Sequence, residues 1–187
     1  MITVEEALRI ALEAHDGQKD LDGNPVILHP MAVCMAGRNR EEQVAGLLHD
    51  VVEDTHFTFD DLLQRGVDAS IVDALRLLTR DEGTNYDEYV HRIAASDNQL
   101  AIRVKYNDLR HNLKRGRAGG HWHIVAKHER ALAVIEPLVR AREMRVLSVA
   151  SLGESASRLE RLEFRDEKQD DISFYHCAGC SYDAGIL

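Results

Sequence analysis

The sequence predicts an all-α protein, a helical bundle with an appended C-terminal helix and tail. Three observations carry the all-α prediction: helix caps recur along the chain, apolar residues follow them at three- and four-residue spacing, and no run alternates apolar with polar residues. Thr3 and Glu6 have capping-box spacing before Ala7, Leu8, Ala11 and Leu12. Gly17, Gly23 and Pro25 make residues 15–28 a loop. Pro30 suits the first position of a helix reaching about Arg38, and Asn39 caps the next, which buries Val44, Leu47, Leu48 and Val51. Thr58 caps a short helix ending at Gly66, and Asp68 caps another reaching about Leu78. Asn85 with Glu88 opens a helix through Tyr89, Val90 and Ile93, and a further helix is expected from about Gln99 to Leu113. Gly116, Gly119 and Gly120 break the chain before a long helix from Trp122 toward Met144, bent near Pro137. One more helix is expected near 154–168.

Composition narrows the function. With 187 residues, 44% hydrophobic and 29% charged, the chain reads as one soluble domain over 1–147 with a C-terminal extension over 148–187. That extension could serve homo-oligomer contact. Three cysteines are too few for a secreted disulfide framework and point to a reducing cytoplasm. No stretch is apolar enough to span a bilayer, and no signal peptide is visible. A net charge of −9 disfavours nucleic acid and anionic membranes as partners. A phosphorylated small molecule would need a local basic cluster or a metal.

His-Asp dipeptides occur at 15–16 and 49–50, which by itself is no more than chance. The second stands in AGLLHDVVEDT, residues 45–55, where a helix would set His49 one turn from Glu53 and Asp50 one turn from Asp54. Three crowded acids need compensation, and a divalent cation supplies it. The plainer alternative is a solvated helix end. Two further segments weigh against that alternative: His29 follows a loop in NPVILHP, and Asp108 and Asn112 share a helical face in VKYNDLRHN. His29, His49, Asp50 and Asp108 would form a mixed nitrogen and oxygen ligand set suited to Mn²⁺, Fe²⁺ or Zn²⁺.

HDGQ (15–18), GNPVILHP (23–30), AGLLHDVVEDT (45–55), LTRDEGTNY (78–86) and VKYNDLRHN (104–112) follow one another in this order. Over about residues 1–140 the chain thereby resembles HD-domain phosphohydrolases, specifically RelA/SpoT-type alarmone hydrolase domains and most of all the stand-alone small alarmone hydrolases. The resemblance implies that His29, His49, Asp50 and Asp108 bind one Mn²⁺, that Glu53 and Asp54 handle the attacking water, and that Asn112 contacts the nucleotide. It implies hydrolysis of the ribose 3′-pyrophosphate of (p)ppGpp to GDP or GTP and pyrophosphate. At this length no synthetase domain is expected.

Two departures fall on base recognition: Asp20, after Lys19, stands where larger relatives have an arginine, and Val26 replaces a common aromatic. An adenine alarmone, or the 2′-phosphate of NADPH, therefore stays open as substrate. Candidate phosphate contacts are Lys19, Lys105 and Arg115, with Arg110, Lys114 and Arg117 nearby and Lys127 and Arg130 on the next helix. A solvated basic helix end is the alternative for the cluster. Tyr86 is a substrate contact by family position. Trp122 is expected to pack into the bundle, and Cys34 to be buried. The tail HCAGC (176–180) offers at most three ligands and reads as an ordinary terminus with free thiols.

Overall fold

In the computed structural model, which describes residues 1–166, the helices are α1 (Val4–Ala14), α2 (Leu28–Met35), α3 (Arg40–Leu48), α4 (Val51–Asp54), α5 (Phe59–Gln64), α6 (Ala69–Leu78), α7 (Tyr86–Ala95), α8 (Gln99–Ala118) and α9 (Trp122–Asp166). Among the described residues there is no β-strand, only an isolated bridge between Lys19 and Pro25. The all-α expectation is met. No helix of the described residues is long and apolar enough to cross a membrane.

The caps do what their chemistry requires. Thr3 and Glu6 satisfy each other's backbone N–H groups, as do Thr58 and Asp61. The side chains of Asn39, Asn85 and Asn98 each accept a first-turn backbone N–H. Asp68 does not cap by hydrogen bond; its carboxylate instead accepts from the Arg40 guanidinium at 3.0 Å.

Met1–Arg142 form one compact unit, with α3 at its centre. This helix packs against α1, α2, α6 and α8, and its Val44, Leu47 and Leu48 are fully buried alongside Val33, Ile71, Leu75 and Leu109. The crossing of α2 and α3 is close because position 46 is glycine. A Cβ there would lie 3.0 Å from the Cys34 backbone nitrogen and 3.1 Å from the Val33 carbonyl carbon. That proximity matters because α2 carries His29 and the end of α3 carries His49.

Several sequence expectations shift. Helix α2 begins at Leu28 and ends at Met35, so Pro30 lies within its first turn rather than at its first position. Gly116 does not break the chain: α8 continues to Ala118, with Gly116 against the Val125 side chain. The helices expected at 122–144 and 154–168 are one element with Pro137 inside it. Trp122 is 65% exposed, since it opens α9 directly after the Gly119–Gly120 turn and its ring has no core beneath it. Cys34 is only partly buried. The HCAGC tail lies outside the described residues.

Candidate metal and nucleotide site

The segment 45–55 is not one continuous helix. Helix α3 stops at Leu48, His49 and Asp50 form a turn, and α4 starts at Val51. The His49 Nδ1–H donates to the Gly46 carbonyl at 2.8 Å. A carbonyl only accepts, so Nδ1 carries a proton and Nε2 faces the interior. There it meets His29 Nε2 at 3.2 Å and Asp50 Oδ1 at 3.2 Å. From α8, Asp108 Oδ1 approaches His29 Nε2 to 3.1 Å and His49 Nε2 to 3.8 Å. Four side chains from three separate stretches of sequence thus converge.

The spacing tests whether an ion fits. Atoms bonded to one metal at about 2.1 Å, at octahedral or tetrahedral angles, lie about 3.0–3.4 Å from one another. The His49–His29, His49–Asp50 and His29–Asp108 separations of 3.2, 3.2 and 3.1 Å fall in that range, while His29–Asp50 at 3.6 Å and His49–Asp108 at 3.8 Å lie somewhat beyond it. Their electrostatics agree. Burial by itself would lower the His49 pKa, but the neighbouring Asp50 and Asp108 carboxylates reverse the effect and raise it to about 9. The carboxylates therefore attract positive charge strongly enough to overcome desolvation, which is what holding a cation requires. His29, His49, Asp50 and Asp108 could together hold a divalent metal.

Neighbouring side chains orient the four. His29 Nδ1 lies 2.7 Å from His111 Nδ1 and the rings stack, so the outer nitrogen is engaged while Nε2 points at the cluster. Burial and nearby positive charge lower the His111 pKa to about 4, which leaves a neutral acceptor for the His29 proton. Asp108 Oδ1 accepts from the Asn112 amide, and Oδ2 accepts from Lys105 Nζ at 2.9 Å. Burial opposes both charges of that pair. Even so, the Lys105 ammonium holds Asp108 well below the usual carboxylate range, and Asp108 holds Lys105 well above the usual lysine value. Lys105, weighed from sequence as a phosphate contact, is buried with its ammonium on Asp108, over the Tyr89 ring. His111 was missed, although its place beside Asn112 in the RHN of VKYNDLRHN was visible.

Two cavities flank the cluster and share His29, Asp50, Asn112 and Arg115. The larger, about 300 Å³, is closed by the 19–26 loop and the start of α9, with Lys19, Leu21, Val26 and Ile124 in its walls. The smaller, about 180 Å³, carries Arg80, Lys105 and Lys127 with Tyr86 and His128. Because the chain turns at 49–50, the two acids of α4 face different spaces: Glu53 lines the smaller cavity and Asp54 the larger. Glu53 accepts the Arg80 backbone N–H at 2.9 Å, fixing the loop after α6. Partial enclosure, followed by the Asp50 and Glu53 carboxylates, raises the Asp54 pKa.

The HDGQ loop supports Asp54. His15 Nδ1 donates to Gln18 Oε1 at 2.8 Å, and the Gln18 amide donates to the Asp54 carbonyl at 3.2 Å. Gly23, at φ +81, lets the loop reverse so that Asp20 N–H reaches the Asn24 carbonyl. Asp20 Oδ1 accepts the Asp22 and Asn24 backbone N–H groups, and Oδ2 accepts from Arg115 at 3.3 Å. His121 lines the larger cavity and pairs with Asp22 at 2.9 Å. Of the remaining basic candidates, Arg117 pairs with Glu129 at 2.8 Å and Arg110 lies over the Tyr106 ring; neither lines either cavity.

No family model matches the chain. Over 125 residues, 59% of this chain, it is 31% identical to the bifunctional (p)ppGpp synthase/hydrolase SpoT of Escherichia coli strain K12. Over that stretch the chain is similar to RelA/SpoT-type proteins. Over 122 residues it is 28% identical to the guanosine-3′,5′-bis(diphosphate) 3′-pyrophosphohydrolase of Aquifex aeolicus, and over 63 residues 43% identical to the GTP pyrophosphokinase of Streptomyces coelicolor. It spans only 18%, 17% and 7% of the lengths of these three relatives. The structure of a metazoan ortholog of SpoT that hydrolyses ppGpp superimposes with a TM-score of 0.57 at 21% identity, covering 74% of this chain and 94% of that one. At that identity the superposition speaks for the fold, an HD-type bundle.

Proposed function

We propose that this protein is a Mn²⁺-dependent phosphohydrolase that removes the 3′-pyrophosphate of an alarmone nucleotide such as (p)ppGpp. One observation carries the reading: three potential ligands, His29, His49 and Asp50, converge with Asp108 against the two imidazoles and two further carboxylates beside them, at the junction of a mixed apolar and basic cavity and a cationic one. The activities for which the relatives are named, a 3′-pyrophosphohydrolase and a synthase/hydrolase, support it. The larger cavity, with Leu21, Val26 and Ile124, suits a nucleoside; the smaller, with Arg80 and Lys127, suits phosphates.

His29, His49, Asp50 and Asp108 would hold the metal. A divalent ion there supplies positive charge that polarises a phosphate oxygen and makes water more acidic. The rest falls to the chain. Glu53 and Asp54, which line the two cavities on either side of the cluster, orient the attacking water and take its proton. The water oxygen bonds to the phosphorus, the bond from phosphorus to the ribose 3′-oxygen breaks, and that oxygen ends as a hydroxyl carrying a proton. Arg115, held by Asn112 and Asp20, stands between the cavities and offsets phosphate charge on both sides.

Base preference turns on the 19–26 loop. Asp20 spends both carboxylate oxygens inside the protein, which leaves Lys19 as the charged group of that segment for the nucleotide. A panel of ppGpp, ppApp and NADPH, with Mn²⁺ or with chelator, tests the proposal by product. Pyrophosphate from ppGpp only in the presence of Mn²⁺ is the expected result. Orthophosphate from NADPH with nothing released from ppGpp would overturn it.

A further inference from the structure

Among the described residues, three that line the smaller cavity carry a buried polar atom without a hydrogen-bond partner, Arg115 Nε and, side by side, Tyr86 Oη and His128 Nδ1. Leaving such atoms unpaired costs free energy, so a pair of them in one wall marks where a ligand atom sits. His128 is only 7% exposed. The two rings meet edge to face at 6.0 Å between centroids, so the two residues are neighbours in one wall. That patch is built from residues far apart in sequence, at the first position of α7 and in the second turn of α9.

The surroundings state the ligand's charge. Lys127 Nζ lies 4.5 Å from the centre of the Tyr86 ring, Lys105 Nζ lies 5.7 Å from it, and Arg80 completes the lining. Burial keeps the Tyr86 hydroxyl protonated by raising its pKa, so it donates. Burial, with Lys127 and Lys105 adding to it, lowers the His128 pKa to about 4; the ring is neutral and can present Nδ1–H. Two donors among cations call for an anion rich in acceptor oxygens. The same cavity includes His29, His49, Asp50 and Asp108 in its walls, so an extended anion can reach both the cluster and this patch.

We propose that Tyr86 and His128 form a donor pair that seats the distal phosphate of the pyrophosphate group, the one that does not undergo attack. This inference rests on the function proposed above. It goes beyond that function by assigning His128, and by separating recognition of a two-phosphate chain from recognition of a single phosphate. A monophosphate held at the cluster has no second phosphate to offer the pair. The device selects substrates by the length of their phosphate chain.

The test uses the Mn²⁺-loaded protein and two probes, inorganic pyrophosphate and orthophosphate, titrated by calorimetry. Tyr86→Phe and His128→Leu are each expected to weaken pyrophosphate binding about tenfold while changing orthophosphate binding less than twofold. His128→Asn, whose amide N–H can replace Nδ1–H, should stay within threefold of the parent protein. Thermal melting with Mn²⁺ verifies that each variant is folded, and Tyr86→Phe, which removes one oxygen, keeps the test valid if His128→Leu unfolds. Unchanged pyrophosphate affinity in Tyr86→Phe and the folded His128 variant, or equal losses for both probes, would overturn the proposal. Turnover of ppGpp by the parent protein is scored separately. If the parent leaves ppGpp intact yet binds pyrophosphate through the pair, the substrate reading falls and the anion seat stands. If it releases pyrophosphate while the variants bind the probe normally, the seat falls and the substrate reading stands.

Discussion

Replacing Lys105 by Met separates two roles that a buried lysine beside a metal cluster can have. The ammonium lies 2.9 Å from Asp108 Oδ2, and both residues are almost fully buried. Methionine keeps most of the volume and leaves Asp108 charged without its cation. Removing one member of a buried pair costs about 3–5 kcal/mol, which in a domain of this size lowers Tm by about 6–20 °C. Among the described residues, the other groups that stabilise that carboxylate in the metal-free protein are the His29 and His49 imidazoles and the Asn112 amide. With Mn²⁺ bound, the ion assumes that role, so the loss in Tm should shrink by half or more. Linkage then requires tighter metal binding in the variant, about tenfold for each 1.4 kcal/mol of penalty relieved. Scanning calorimetry with chelator and with saturating Mn²⁺, together with metal titration, measures both legs. Equal losses of Tm in the two conditions, or weaker Mn²⁺ binding by Lys105→Met, would refute charge balance and make Lys105 an orienting group for Asp108.

Three further substitutions test the site. His49→Ala removes the ligand whose Nε2 contacts His29, Asp50 and Asp108, and should abolish stoichiometric Mn²⁺ binding in a calorimetric titration together with turnover. Glu53→Gln keeps an oxygen to accept the Arg80 backbone N–H, so metal affinity should stay within threefold while kcat falls at least a hundredfold; a kcat near that of the parent protein would remove Glu53 from the chemistry. Gly46→Ala places a methyl against the Cys34 and Val33 backbone, where rigid atoms cannot yield, and should cost about 1–3 kcal/mol by chemical denaturation. Because α2 then moves from α3, the same variant should bind Mn²⁺ at least tenfold more weakly. Destabilisation with intact metal affinity would show that the crossing does not set the His29–His49 distance.

Much of the helical bundle was legible because its signals are local. A threonine or asparagine acts on backbone N–H groups two or three residues away, so Thr3, Asn39, Thr58 and Asn85 mark helix starts wherever the chain goes. Interruptions and ends were harder to read. The turn at His49–Asp50 falls in an apolar stretch with no glycine or proline after it, and its cause is a histidine side chain that takes the Gly46 carbonyl. Pattern likewise could not show that Trp122 stays exposed, since apolar character does not tell which residues find a surface to cover them.

The candidate site divides in the same way. His29, His49, Asp50 and Asp108 stood out by type and setting, and their nearness needed the fold. Residues that act on those four, namely His111, Lys105 and Gly46, carry no signature of their own, because orientation is a relation between side chains. His128 was invisible for the same reason: a histidine in mid-helix gains meaning only when its ring nitrogen is buried, unpaired and beside a tyrosine hydroxyl in the same condition. Sequence alone determined the helical class, the helix starts and the identity of the chemically capable residues, since those follow from interactions within a few positions of the chain. Tertiary structure decided the distances, the pairing of Lys105 with Asp108, the direction each acid of α4 faces and the two cavities, since electrostatics and coordination depend on separation in space.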